Sequence, residues 1–150
     1  MTVLFCYIIN NPPAHTIYSD SSFMVLLDKE SLGFGHCIII PKTHASKIYE
    51  LDDKIYNELF MLAKKLSGIL QSFPQNRNYQ SFANTGVLRP IENAVAYASF
   101  GGGIQHAHLH LVPHNNPDVL LNPSKYIKKP DAVELEKNAT QVRDFIKNKL

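Results

Sequence analysis

Apolar residues in the first forty positions occur in short runs that polar or glycine-bearing turns separate. The runs cover residues 16–18, 23–27 and 37–40 and are rich in β-branched and aromatic side chains. Short runs of this composition, bounded by turn residues, are typical of strands in an antiparallel meander. The pattern therefore predicts three consecutive antiparallel strands.

The next segment changes to helical spacing. Asp52 is a suitable N-cap, Pro74 imposes a stop, and the apolar residues between them recur every three or four positions. These residues are Ile55, Leu59, Leu62, Leu66 and Ile69. A second helical pattern opens at Asp131 and carries apolar residues on one face. They are Leu135, Ala139, Val142 and Ile146.

Two further strands are predicted after the long helix, at residues 79–83 and in the segment that contains residues 106–112. The complete pattern indicates an α+β fold. It predicts an antiparallel sheet of about five strands, one main helix that crosses between two parts of the sheet, and a C-terminal helix. The chain has 150 residues with 45% hydrophobic content and no internal repeat, which suits one domain with a buried core.

Charge and cysteine content narrow the classes of partner. The net charge is +2, from 15 basic and 13 acidic residues, which argues against a broad cationic surface for nucleic acid. Cys6 and Cys37 form neither a CxxC pair nor a disulfide framework, which fits a reducing compartment. No run approaches 18 consecutive apolar residues, and the start lacks a basic n-region. We expect a soluble cytoplasmic protein without a membrane or nucleic-acid partner.

Chemistry is concentrated in the run His106-Ala107-His108-Leu109-His110. Alternate residues of a strand share a face and lie roughly 6.5 to 7 Å apart, so a strand here would place the three imidazoles in one row. Three interpretations follow from the residues alone. The histidines are solvated or structural, they bind Zn²⁺ with a third ligand and an open position, or one of them is a nucleophile at phosphorus.

Short motifs upstream of this run occur in a characteristic order. They are Phe5-Cys6, Ile17-Tyr18-Ser19-Asp20, Leu26-Leu27-Asp28, Gly35-His36, Pro41-Lys42-Thr43-His44 and Asn84-Thr85-Gly86. With the alternating histidines, they make the chain resemble the histidine triad superfamily of nucleotide hydrolases and transferases. The resemblance spans about residues 4–114 and leaves about 115–150 as a C-terminal extension of a single domain, 1–150. It also implies the HIT-like fold and a homodimer.

The resemblance implies cleavage at the α-phosphate of nucleoside phosphoramidates or dinucleoside polyphosphates, usually of adenine. His108 matches the nucleophile, which would form a covalent nucleotidyl-histidine that water resolves. His110 and His36 would donate to nonbridging oxygens or to the leaving group. His106 is expected to shape the strand that presents His108. A histidine at 110 favours the hydrolase branches, because glutamine is typical there of the nucleotidyltransferases.

Nucleotide binding is implied for two groups of residues. Asp28 matches the acidic residue that accepts hydrogen bonds from ribose hydroxyls, and Asn84 matches an asparagine near the phosphates. Their local sequence equally suits ordinary turns. Gly101, Gly102 and Gly103 stand where many relatives have Gly-Gln-Ser or Gly-Gln-Thr, so phosphate contacts here would come from backbone N–H groups.

Other departures concern metal and the surroundings of the site. Some relatives hold structural zinc through CxxC and two histidines, but Ile9 stands three residues after Cys6. We therefore expect no metal site and no required cofactor. Residues 87–100 exceed the short connection of the smallest relatives. Such an insertion can form a lid or a specificity wall, although a surface loop is the more common outcome. Two alternatives stay open: a zinc hydrolase that uses His106, His108 and a third ligand such as His36, and a nucleotide-binding sensor with little turnover.

Overall fold

The computed structural model describes residues 3–74, 80–82, 90–92, 94–98, 103–114 and 118–150. The strands within these ranges are β1 (Thr16–Ser19), β2 (Phe23–Leu27), β3 (Cys37–Pro41), β4 (Gln80–Phe82), β5 (Pro90–Glu92), β6 (Ala94–Ala98) and β7 (Leu109–His114). The α-helices are α1 (Leu4–Asn10), α2 (Asp53–Gln71), α3 (Asp118–Leu121) and α4 (Ala132–Ile146). Two short 3-10 helices cover Ile48–Glu50 and Pro123–Lys125.

Five strands form an antiparallel sheet in the order β1-β2-β3-β7-β6, and β4 pairs with β5 in a separate two-stranded ribbon. The predicted α+β class and number of sheet strands are confirmed. The membership of the sheet differs from the prediction, because the strand expected at 79–83 is β4 of the ribbon. The fifth strand of the sheet is β6, whose alternating alanines gave only a weak strand signal.

The helical predictions are confirmed, including their caps. Asp52 accepts a hydrogen bond from the backbone N–H of Ile55 at 2.9 Å and begins α2. The helix ends at Gln71, three residues before Pro74. Asp131 caps α4 in the same way through the N–H of Glu134 at 2.8 Å. The four apolar residues predicted on one face of α4 are all buried.

The two faces of the sheet bury different side chains, because alternate residues of a strand point in opposite directions. One face joins α2 and α4 in the main core, to which the strands and the triad segment contribute Ile17, Phe23, Val25, Leu27, Cys37, Ile39, Ala107, Leu109 and Leu111. The other face forms a smaller cluster under α1, made by Phe5, Met24, Leu26, Ile38 and Ile40. His110 is opposite Ile38 in the β3–β7 register, which places it on the smaller face.

The structure adds one helix to the prediction and corrects the start of one strand. Helix α1 was not predicted, because the apolar run at its start has no helical periodicity and Phe5 is its one buried residue. The last strand begins at Leu109 rather than at His106. The N–H of Ala107 instead donates to the carbonyl of Ala45 at 2.6 Å, so the backbone of 106–108 is tied to the loop after β3.

The two cysteines differ in their surroundings. Cys6 and Cys37 are both free, and Cys6 is partly exposed while Cys37 is buried. Burial raises the pKa of the Cys37 thiol above its usual range. Within the described ranges, none of the helices is both long enough and apolar enough to cross a bilayer.

Gly33 marks a close approach between the loop before β3 and the end of β7. A Cβ atom at Gly33 would collide with the carbonyl oxygen of Pro113, whereas a Cβ at Gly68 in α2 would meet nothing within 4 Å. We expect Gly33→Ala to lower the free energy of unfolding by about 1–3 kcal/mol. The control Gly68→Ala should raise it by about 0.5–1 kcal/mol, because alanine favours the helix. Urea unfolding measures both, and an unchanged midpoint for Gly33→Ala would contradict the contact.

Candidate functional site

The candidate site is a row of buried imidazoles on the smaller face of the sheet. The ring of His108 lies 5.1 Å from the ring of His110, which lies 5.2 Å from that of His36, measured between centroids. All three side chains are buried. The structure thus brings together the glycine-flanked histidine before β3 and two histidines of the alternating run.

Backbone and ring contacts define the protons on His36 and His110. The N–H of Leu32 donates to Nδ1 of His36 at 3.0 Å, so this nitrogen carries no proton. A neutral His36 therefore holds its proton on Nε2, which is 3.0 Å from Nδ1 of His110. Since Nδ1 of His110 accepts this hydrogen bond, a neutral His110 carries its proton on Nε2.

Burial keeps His36 uncharged. Its side chain is 3% exposed, and desolvation lowers the pKa of the imidazole to about 4 although Asp28 acts in the opposite direction. One carboxylate oxygen of Asp28, Oδ2, is 3.5 Å from Nε2 of His36 and 3.4 Å from Nδ1 of His110. Burial alone would raise the pKa of Asp28, but the neighbouring rings of His110 and His36 keep that pKa below its usual value.

His108 is oriented by the backbone. Its Nδ1–H donates to the carbonyl oxygen of His106 at 2.7 Å, because a carbonyl can only accept. Burial lowers the pKa of His108, although the same hydrogen bond acts against this shift. Neutral His108 consequently has an unprotonated Nε2. The ring of Phe5 packs edge-on against His108 at 5.1 Å and fixes the plane of the imidazole.

His106 belongs to a separate cluster with Cys6 and His44. Its Nε2–H donates to the carbonyl of Pro41 at 2.8 Å, which leaves Nδ1 as an acceptor. That Nδ1 is 3.4 Å from Sγ of Cys6 and 3.3 Å from Nδ1 of His44. Burial lowers the pKa of His106. These contacts connect α1, the loop after β3 and the triad segment.

Two sets of side chains have donor atoms close enough to hold a metal. Cys6, His44 and His106 form one set, and Asp28, His36 and His110 form the other, with the ligand atoms of each set within 4.8 Å of one another. The first set fits three positions of a tetrahedral zinc site, and a zinc ion there would cross-link the three segments. Apolar Ile9 leaves that set without the fourth ligand of a CxxC site. The combination of His106, His108 and His36 weighed for a zinc hydrolase is not brought together among the described residues.

Of the other residues predicted to bind the nucleotide, some lie in the part of the chain that the structure describes and some do not. The Oδ1 atom of Asp28 stabilises the turn after β2 by accepting the N–H of Glu30 at 2.9 Å. Its Oδ2 atom faces the histidines. Gly103 is exposed, and a Cβ there would meet nothing within 4 Å. Asn84, Gly101 and Gly102 lie outside the described residues, as do Gly86 and Arg89.

Sequence reasoning missed three groups that build the site. The backbone N–H of Leu32 defines the proton on His36, the ring of Phe5 supports His108, and Cys6 contacts His106. The motif Phe5-Cys6 was a signal for the last two, but their contacts depend on α1, which the hydrophobic pattern did not predict. The role of Leu32 has no side-chain signal, because only its main chain is used.

Comparison with known proteins gives a consistent assignment. The family model described as HIT domain matches residues 10–116. A HIT-like protein of unknown function from Borreliella burgdorferi is 28% identical over 120 residues, which is 77% of each chain. An adenosine 5'-monophosphoramidase from Schizosaccharomyces pombe is 26% identical over 119 residues, with 79% of this chain and 78% of the relative covered.

A solved structure has the same fold. A Zn-bound histidine triad family protein from Mycobacterium smegmatis superposes with a TM-score of 0.70 and 22% sequence identity. The superposition covers 98% of this chain and 94% of the other. At this identity the similarity shows the fold alone.

The burial of neutral His36 predicts a pH-dependent loss of stability. Its pKa is about 4 in the folded chain against 6.5 in the unfolded chain, so the unfolded state binds more protons between these values. The free energy of unfolding should therefore fall as pH decreases from about 6.5 to about 4, by up to about 1.4 kcal/mol per pH unit from this group. His36→Gln removes the group, and urea unfolding at several pH values should give a shallower dependence. Parallel curves for the two proteins would rule out this contribution.

Proposed function

The chain belongs to the HIT domain family, and from this premise we propose that it is a hydrolase that cleaves nucleotides at the α-phosphate. The substrate class is nucleoside phosphoramidates, with dinucleoside polyphosphates as the second group. The observation that carries the proposal is buried His108, whose Nδ1–H is bound to the carbonyl of His106 and whose Nε2 is unprotonated. The phosphoramidase relative from S. pombe supports the choice of leaving group and of adenine.

In the proposed first step, the Nε2 lone pair of His108 attacks the α-phosphorus. The Nε2–P bond forms, the bond from phosphorus to the leaving group breaks, and a leaving amine takes a proton from water. The His108 ring becomes cationic, and the carbonyl of His106 that accepts its Nδ1–H stabilises this charge. In the second step the hydroxide part of water bonds to phosphorus and the Nε2–P bond breaks. The products are the nucleoside monophosphate, the amine and free His108.

The neighbouring groups position the phosphoryl group in this mechanism. His110 donates its Nε2–H to a nonbridging oxygen, and His36 holds the tautomer of His110 through the 3.0 Å hydrogen bond. His106 positions the nucleophile through its carbonyl. Asp28 accepts hydrogen bonds from the ribose hydroxyls. Asn84 and the Gly101, Gly102 and Gly103 backbone are proposed to bind the phosphates.

The proposed reaction requires no cofactor, because the imidazole of His108 supplies the nucleophile. A zinc ion on Cys6, His44 and His106 would have a structural role away from the phosphorus. A nucleotide sensor with little turnover is the remaining alternative. It is consistent with Gly103 standing where many relatives have a hydroxyl residue.

The central test is AMP release from adenosine 5'-phosphoramidate in EDTA. His108→Ala should lower kcat by about 10³-fold or more, because removal of a nucleophile leaves only binding and electrostatic contributions. The matched control is His15→Gln, which changes another buried histidine that lies outside the proposed machinery. Wild-type protein quenched in alkaline denaturant, in which a nitrogen–phosphorus bond to histidine survives, should carry AMP on His108, located by mass spectrometry.

Three outcomes would contradict parts of this proposal. Activity that EDTA removes and Zn²⁺ restores would favour a metal enzyme. Tight AMP binding without turnover of any substrate would favour the sensor. Turnover by His108→Ala at the wild-type rate would remove His108 as the nucleophile.

We also propose a cytoplasmic homodimer, as in the family that the chain resembles. The chain mass is 16.9 kDa, so light scattering of the full chain should give twice this value. A single species at 16.9 kDa would refute the dimer. This measurement is independent of catalytic activity.

A further inference from the structure

A cavity of about 220 Å³ opens beside His108. We propose that it binds the leaving group and selects organic amines with an aromatic or aliphatic body. This inference rests on the proposed function, because it assigns the other half of the same substrate. The cavity is lined by Ser46, Lys47, Ile48, Tyr49, Ile104 and the 106–108 segment that includes His108.

The position of the cavity relative to Asp28 assigns it to the leaving group. The described residues that line it include His108 but neither His110 nor Asp28. His110 is next to Asp28, with 3.4 Å between Nδ1 and Oδ2, and the ring of His110 is 5.1 Å from that of His108. A nucleoside held at Asp28 therefore approaches His108 from one side, and the cavity lies at the other end of the row of rings.

The walls of the cavity favour a carbon-rich ligand. Ile48 and Ile104 are partly buried, and Tyr49 is 80% exposed, the highest value among the large hydrophobic side chains of the described residues. Lys47 is the one cationic side chain among the described lining residues, apart from the histidines. A polyphosphate leaving group carries several negative charges and would require more cations. The lining thus suits an organic amine better than a nucleotide.

The cavity is also much larger than ammonia, the smallest leaving group. Ammonia is close in size to a water molecule, whose share of liquid volume is about 30 Å³. Unsubstituted phosphoramidate would leave most of the 220 Å³ to solvent. A larger amine would instead displace water from the apolar side chains, which favours its binding.

The loop that carries Tyr49 is held in place. The carboxylate of Glu50 accepts the N–H groups of Ser46 and Lys47 at 3.0 and 3.1 Å. The carbonyl of Ala45 accepts the N–H of Ala107 at 2.6 Å. The backbone that carries Tyr49 is therefore tied to the segment that contains His108, and we assign Tyr49 as a residue that determines leaving-group specificity.

The test compares two substrates that differ only in this group, adenosine 5'-phosphoramidate and its N-benzyl derivative. Benzylamine and ammonia have similar basicity, so intrinsic leaving ability is matched. Tyr49→Ala should lower the ratio of kcat/KM for the benzyl substrate to that for the unsubstituted one by about 10-fold, as expected for loss of a hydrophobic contact. Tyr49→Phe should retain the ratio. Tyr56→Ala, which alters a tyrosine on α2 that is 40% exposed, is the matched control.

The outcomes separate the subsite from the proposed function. A selective fall of the ratio in Tyr49→Ala, with retention in Tyr49→Phe, supports the subsite. An unchanged ratio, or wild-type preference for diadenosine tetraphosphate over the benzyl substrate, overturns the subsite and leaves the hydrolase proposal standing. No AMP release by wild type from any of the three substrates overturns both.

Discussion

Burial of uncharged imidazoles is the constraint on which the site depends. A neutral ring has one N–H and one lone pair, and desolvation penalises the charged form that would donate from both nitrogens. The buried rings of His36, His106 and His108 must therefore each pair one nitrogen with a group of defined character. The main chain supplies three such groups: the N–H of Leu32, the carbonyl of Pro41 and the carbonyl of His106. These contacts determine which nitrogen of each ring is available.

The fold brings those main-chain groups to the rings through irregular segments. The loop before β3 carries Leu32, and the end of β3 presents the carbonyl of Pro41. Helix α1 covers the same face and places Phe5 against His106 and His108. The regular sheet and α2 contribute a rigid base, because the side chains that alternate with the histidines enter the main core. The core therefore positions the site, while turns and a short helix determine its protonation.

The sequence predicted the features that depend on side-chain periodicity and caps. Strands β1 to β3, α2 and α4 follow from apolar spacing and from Asp52 and Asp131. The meeting of His36 with the alternating histidines followed from the motifs and their resemblance to a family. The start of β7 could not be predicted, because it depends on the tertiary hydrogen bond of Ala107 to Ala45. The tautomers were equally inaccessible, since they depend on backbone groups that any residue can supply.

Because β7 begins only at Leu109, the backbone of residues 106–108 is free to curve so that one residue's carbonyl meets the ring two positions along. The proton of His108 is held on Nδ1 by the carbonyl of residue 106, a group that persists whatever side chain that residue carries. A substitution at 106 that preserves the backbone path therefore preserves the tautomer of its neighbour two positions along. An insertion or deletion between them would change the tautomer even if every histidine were retained. The tautomer of His108 thus depends on chain length and backbone course, and not on the side chain at residue 106.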